Sequence, residues 1–284
     1  MQIFVLLVVA AYLGVILYGA FSITNAMTVP LKGNVCCLSL HHEDIHFQTA
    51  DGLTLSGWYI PPRNGAVIVL LHTYYLNRRQ TLSVASMLAR HGYGVLMYDQ
   101  RASGQSEGDV RSLGWLDIPD VSKAVLWVQS RPGVDAQRIG VYGCSMGGAI
   151  ALAAAAQNPT IAAVAADAAS PLTFGEEHPT LADPMWSISY PIHALYYLFI
   201  GLRAQTMPSM PTWQAAQAIA PRPLLLISTG QSGERERVAR FYDSAGQPKA
   251  HWNIPEAGHC GGPSVRPAEY EQHLIDFFDG ALLK

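Results

Sequence analysis

Five short apolar runs recur along this chain of 284 residues: AVIVLL (66–71), GVLMYD (94–99), RIGVYG (138–143), IAAVAAD (161–167) and PLLLIS (223–228). Runs of this length, apolar throughout instead of alternating, suit strands buried on both faces. Helical patterns separate them at about 80–91, 117–130 and 146–157; in the second, Val121, Ala124, Val125 and Val128 fall on one face. Upstream, IHFQT and LTLSGWYI flank Asp51-Gly52, a hairpin signal. Downstream, helices near 235–245 and 267–279 bracket the strand HWNIPE (251–256). Strands alternating with helices predict an α/β fold, a mostly parallel sheet covered on both faces.

Half the residues are hydrophobic, enough for one large core. A net charge of −3 without any Lys/Arg run argues against a nucleic-acid partner. Cys36, Cys37, Cys144 and Cys260 show neither CxxC spacing nor a regular framework. They suggest no zinc ribbon and no disulfide scaffold, and Cys144 and Cys260 read as small buried residues in tight loops. HHEDIH (41–46) groups histidines and carboxylates at a spacing that matches no established metal site. No metal or other cofactor is expected.

Residues 3–21 carry no charge and, as a helix, would reach roughly 28 Å, the thickness of a bilayer's hydrocarbon core. Residues 1–30 are therefore expected to be a membrane anchor and linker, ahead of a domain over 31–284. A secretory signal cleaved after Ala26 is the rival reading. Lys32 alone leans toward a cytoplasmic domain, and the side of the membrane stays open. Between about 171 and 212 the rhythm breaks, with six prolines and an apolar stretch from Met185 to Leu202. A second span is one reading; Pro191 and His193 inside it favour a cap over the sheet's edge.

The pattern Gly-x-Ser-x-Gly occurs twice, around Ser106 and around Ser145. Only Ser145 stands between a strand, RIGVY, and an alanine-rich helix, MGGAIALAAAAQ. A strand turning sharply into a helix lifts the serine hydroxyl above the sheet, in reach of the helix's N-terminal dipole. Ser145 is thus the expected nucleophile. Serine needs a base, and in folds with this turn the chain order is nucleophile, acid, histidine. Of His178, His193, His251, His259 and His273, His259 sits in a glycine-rich loop after the last strand and is the expected base. No aspartate follows PLLLIS; Glu234 is the expected acid, with Glu236 and Asp167 as alternatives. Backbone N–H groups of Tyr74 and Met146 would form the oxyanion hole.

The motifs LLHTYYLNR (70–78), YDQRASGQSEG (98–108), GCSMGG (143–148), PRPLLLI (221–227) and PEAGH (255–259) resemble those of α/β-hydrolase serine hydrolases, in that family's order. The likeness spans about 45–280 and implies the α/β-hydrolase fold with a cap. Thr73 stands where the family has glycine beside the oxyanion donor, and Gly233 where an aspartate is common. The apolar cap and the anchor favour a small-molecule ester or lipid-like substrate, cleaved through an acyl-enzyme on Ser145. A serine aminopeptidase or acyl-peptidase is the runner-up, and a non-catalytic hydrolase-fold binding protein the alternative from another class.

Overall fold

The computed structural model describes residues 2–36, 40–177 and 184–284. The elements in chain order are α1 (Gln2–Thr28), β1 (Leu31–Lys32), β2 (Glu43–Gln48), β3 (Thr54–Ile60), β4 (Val67–Leu71), α2 (Leu82–Arg90), β5 (Gly94–Tyr98), β6 (Ser103–Gly104), α3 (Ile118–Gln129), β7 (Ile139–Cys144) and α4 (Met146–Gln157). They continue with β8 (Ala163–Asp167), α5 (Pro184–Ala204), α6 (Thr212–Ala218), β9 (Leu224–Thr229), α7 (Glu234–Ser244), β10 (Lys249–Ile254), α8 (Gly262–Val265) and α9 (Pro267–Leu282). Each apolar run named above forms a strand.

The main sheet has the order β10-β9-β8-β7-β4-β5-β3-β2, parallel from β10 to β5 and antiparallel at β3 and β2. The Asp51-Gly52 pair does turn β2 into β3, with Gln48 opposite Thr54 and Gly52 at a φ of +89°. Successive side chains of a strand face opposite sides. On β4, Val67, Val69 and Leu71 join a layer completed by α3, α4, α6 and α7, while Ile68 and Leu70 join the layer beneath α2 and α9. That double burial is why β4 reads as a continuous apolar run.

Between β8 and β9 the chain makes a long excursion. Its two ends meet at the buried carboxylate of Glu176, which accepts hydrogen bonds from the backbone N–H groups of Leu172, Thr173 and Thr212 at 3.1, 3.0 and 2.8 Å. Its helix α5 lies against α1. The buried positions of α1, Ile16, Ala20, Thr24 and Thr28, recur every fourth residue and form a single stripe. Gly19 lies beside Ile192, and Arg203 Nη1 donates to Asn25 Oδ1 at 2.6 Å. The rest of α1 presents large apolar side chains outward, among them Ile3, Phe4, Leu6, Leu7, Val15 and Tyr18. Among the described residues α1 alone is long and apolar enough to cross a membrane.

Candidate active site

At the end of β7 the chain reverses into α4 through Ser145, whose φ of +57° and ψ of −119° lie in a region a side chain rarely adopts. Only glycines permit the approach: a Cβ on Gly143 would collide with the Gly147 carbonyl, and one on Gly147 with the Leu71 carbonyl. The turn is fixed from three sides. Ser145 N–H donates to Asp167 O at 2.8 Å, and Ser145 O accepts from Ala149 and Ser170 N–H, each at 3.1 Å. The Ser145 hydroxyl is partly exposed and hydrogen-bonds Ser170 Oγ at 3.2 Å, not His259, in this arrangement. Ser170 follows β8 in DAAS, a stretch with no motif, and sequence reasoning missed it. Arg237 Nε holds its loop by donating to Ala169 O at 3.1 Å.

His259 lies in the loop after β10, and its Nδ1–H donates to Glu234 Oε2 at 2.6 Å. Glu234 is fully buried, and its other oxygen accepts from Thr229 N–H and Thr229 Oγ1–H, both at 2.7 Å. Burial pushes this carboxyl's pKa up, but the bonds from His259 and Thr229 outweigh it and hold the group below its ordinary value. The ionised carboxylate fixes the proton on Nδ1 and leaves Nε2 as the basic nitrogen. Glu236 is exposed on the first turn of α7. Asp167 is buried elsewhere: Tyr270 O–H donates to its Oδ2 at 2.7 Å, and Oδ1 has no partner among the described residues. Burial pushes its pKa up to about 7, with negative Glu234 adding to the rise. Of the three carboxylates, the fold brings Glu234 to the imidazole. His251 lies in β10 beside Ser228 Oγ, His273 stacks on Trp252, and His178 lies outside the described residues.

The cysteine reading requires correction. Cys144 and Cys260, 116 positions apart in the sequence, form a disulfide with Cα atoms 6.1 Å apart. Cys36 is disulfide-bonded as well, and Cys37 lies outside the described residues. Spacing along the chain could not show the Cys144–Cys260 pair, because the fold alone brings the loop after β10 back to the end of β7. Since consecutive Cα atoms are about 3.8 Å apart, the bond confines the Ser145 and His259 Cα atoms to within about 14 Å of each other.

Tyr74 follows β4 in the loop that faces the start of α4. Arg111 braces this loop, donating from Nη1 to Tyr74 O at 2.9 Å and from Nε to Val29 O at 2.8 Å, with its guanidinium 4.4 Å from the Tyr74 ring centre. Tyr74 O–H donates to Met27 O at 2.6 Å, so the last turn of α1 is fastened to the same loop. His72 is buried in it: Nδ1–H donates to Thr73 O at 2.7 Å and Nε2 accepts from Gln100 N–H at 2.9 Å. Burial lowers its pKa, so it stays neutral and organises the loop. Ser106 is occupied structurally, accepting from Ser56 N–H at 2.9 Å and donating to Asp99 O at 2.5 Å. In HHEDIH, His42 Nδ1–H donates to Leu40 O at 2.7 Å and His46 bonds Ser56 Oγ at 3.1 Å.

Residues 53–177 match the family described as X-Pro dipeptidyl-peptidase (S15 family). An uncharacterized protein YfhR of Escherichia coli O157:H7 is 29% identical over 255 residues, covering 84% of this chain and 81% of that one. A Penicillium polyketide transferase, grgF, is 31% identical over 159 residues, about half of each chain. Among solved structures, an esterase of Pyrococcus furiosus superposes with a TM-score of 0.71 at 25% identity, covering 89% of this chain and 98% of that one.

Proposed function

We propose that this chain, which has the α/β-hydrolase fold, is a membrane-anchored serine hydrolase of carboxylic esters. The observation that carries the reading is the 2.6 Å bond from His259 Nδ1 to a buried, ionised Glu234, in a loop tied to the strained turn that holds Ser145. Ser145 Oγ turns from Ser170 toward His259 and attacks the ester carbonyl, and His259 Nε2 accepts its proton. Glu234 stabilises the resulting imidazolium without taking the proton. The N–H groups of Tyr74 and Met146 bind the oxyanion, where such donors are worth about 10²–10³-fold each. His259 then protonates the leaving alcohol, and water, activated by the same nitrogen, releases the acyl group and frees Ser145.

The excursion over 171–212 acts as a cap. Its Phe174, Tyr196 and Tyr197 pack with Trp115 in the same layer as Tyr74 and Met146, which favours an apolar acyl group. The outward apolar flank of α1 suits lipid better than water, so the substrate is ester or lipid-like and presented at a membrane. The S15 match supports a second reading, a serine peptidase acting on X-Pro ends. Hydrolysis of p-nitrophenyl esters of rising chain length, set against X-Pro p-nitroanilides, separates the two. The ester reading predicts turnover of the esters that Ser145→Ala abolishes and Ser106→Ala does not. Cleavage of the anilides alone supports the peptidase, and turnover of neither, a binding protein.

A further inference from the structure

The disulfide Cys144–Cys260 joins the residue before Ser145 to the residue after His259. We infer that this bond is a positioning device for catalysis, a clasp that holds the base loop in register with the nucleophile turn. The inference rests on the serine-hydrolase reading of the same site.

Both ends of the bond fall at strained backbone. Ser145, next to Cys144, and Cys260 itself each have a φ of +57°. Conformations of that kind persist only where their surroundings over-determine them. Around Ser145 the surroundings are rich: Cys144 is buried in β7, and the turn is hydrogen-bonded to Asp167, Ala149 and Ser170. Around His259 the loop is held mainly through backbone on either side, Gly230 N–H donating to Ala257 O at 3.0 Å and Gly261 N–H to Gly258 O at 2.7 Å. The segment PEAGHCGG carries three glycines, His259 is 39% exposed, and a Cβ on Gly258 would meet nothing within 4 Å. Glu234 fixes one ring nitrogen, which sets the tautomer but lets the ring pivot about that bond. The covalent link one residue later removes the remaining freedom. Nucleophile and base come from strands at different places in the sheet, β7 and β10, with β8 and β9 between them. The loop after β10 crosses that separation, and the disulfide fastens its far end to Cys144, with the two Cα atoms 6.1 Å apart.

The bond is not consumed in ester cleavage and can be opened from outside. Cys260 is partly exposed. One thiolate of dithiothreitol attacks Cys260 Sγ and expels the Cys144 thiolate. The reductant's second thiol then closes its own disulfide ring, leaving two protein thiols. Two electrons and two protons pass to the protein, and the reductant is oxidised by the same amount.

The test uses the full chain in detergent, with a p-nitrophenyl ester and a fluorophosphonate as probes, before and after reduction, at a temperature where circular dichroism shows the reduced protein still folded. The clasp predicts that kcat falls about ten-fold or more, since misplacement by about 1 Å can cost 10²-fold, while KM changes less than about two-fold. Reoxidation restores kcat. Because reduction also opens the bond at Cys36, a Cys144→Ala/Cys260→Ala double variant isolates the effect. It shows the same low kcat, now insensitive to dithiothreitol. A folded reduced protein with unchanged kcat overturns the inference, as does a double variant as active as the oxidised protein. Hydrogen exchange across 257–261 gives a readout independent of turnover: it accelerates on reduction if the clasp holds the loop, and unchanged exchange overturns it. Absence of fluorophosphonate label in the oxidised protein counts against the hydrolase reading alone, and the exchange measurement still decides the clasp.

Discussion

Glu234 and Asp167 both lie close enough to His259 to feel its charge, yet only one is bonded to it. Glu234→Gln should lower kcat by about 10³–10⁴-fold, because an amide can no longer enforce the tautomer with a basic Nε2. Asp167→Asn should change kcat less than about ten-fold, under 1.4 kcal/mol, and Glu236→Gln less still. The two carboxyls should also differ in how pH acts on stability. Glu234 is held below its ordinary 4.5, so its contribution is present above that pH and is lost as pH falls through the depressed value. Asp167 is raised from 3.8 to about 7, so its contribution is present below 3.8 and is lost as pH rises toward 7. Asp167→Asn should therefore gain about 1–3 kcal/mol on the wild type between pH 4 and 7, read from urea midpoints. A parallel pH dependence in both proteins would contradict this. The turn at Ser145 and the meeting of His259 with Glu234 could be anticipated because strand, turn and helix patterns bracket these candidates. Ser170 and the Cys144–Cys260 pair could not, since each depends on which strand ends the fold brings together.

At the scale of elements, the alternation of buried strands and helices was readable almost throughout, because strands covered on both faces must be apolar at every position. The end of α1 was less readable. The continuous apolar run stops at Phe21, but the helix continues to Thr28, where Thr24 and Thr28 bury their hydroxyls by bonding carbonyls one turn back, each at 2.8 Å. Nothing local announces that this last turn will brace the loop after β4. The brace has a consequence for rate. Tyr74→Phe keeps the backbone N–H but deletes the bond to Met27 O, and should lower kcat by about 3–10-fold, the value of one neutral hydrogen bond near 1 kcal/mol. Unchanged kcat would mean that α1 and the loop are mechanically independent.

For the whole molecule, the disulfide and the apolar helix α1 together bear on where the domain resides. Lys32 alone leans toward the cytoplasm. A disulfide between cysteines 116 positions apart persists in an oxidising compartment and is reduced in the cytosol. The covalent bond is the stronger constraint, so the domain should face away from the cytoplasm. In intact cells, N-ethylmaleimide followed by reduction and a second, mass-distinct maleimide should place only the second tag on Cys144 and Cys260. The first tag on both would put the domain in a reducing compartment.

The central claim is that one hydroxyl of nineteen serine candidates is a nucleophile. Incubating the folded, oxidised full chain with a fluorophosphonate and mapping the adduct by mass spectrometry tests it most directly. The account predicts a single adduct on Ser145, lost on heat denaturation before labelling and slowed strongly by His259→Ala. An unlabelled protein, or an adduct on Ser106, would contradict it.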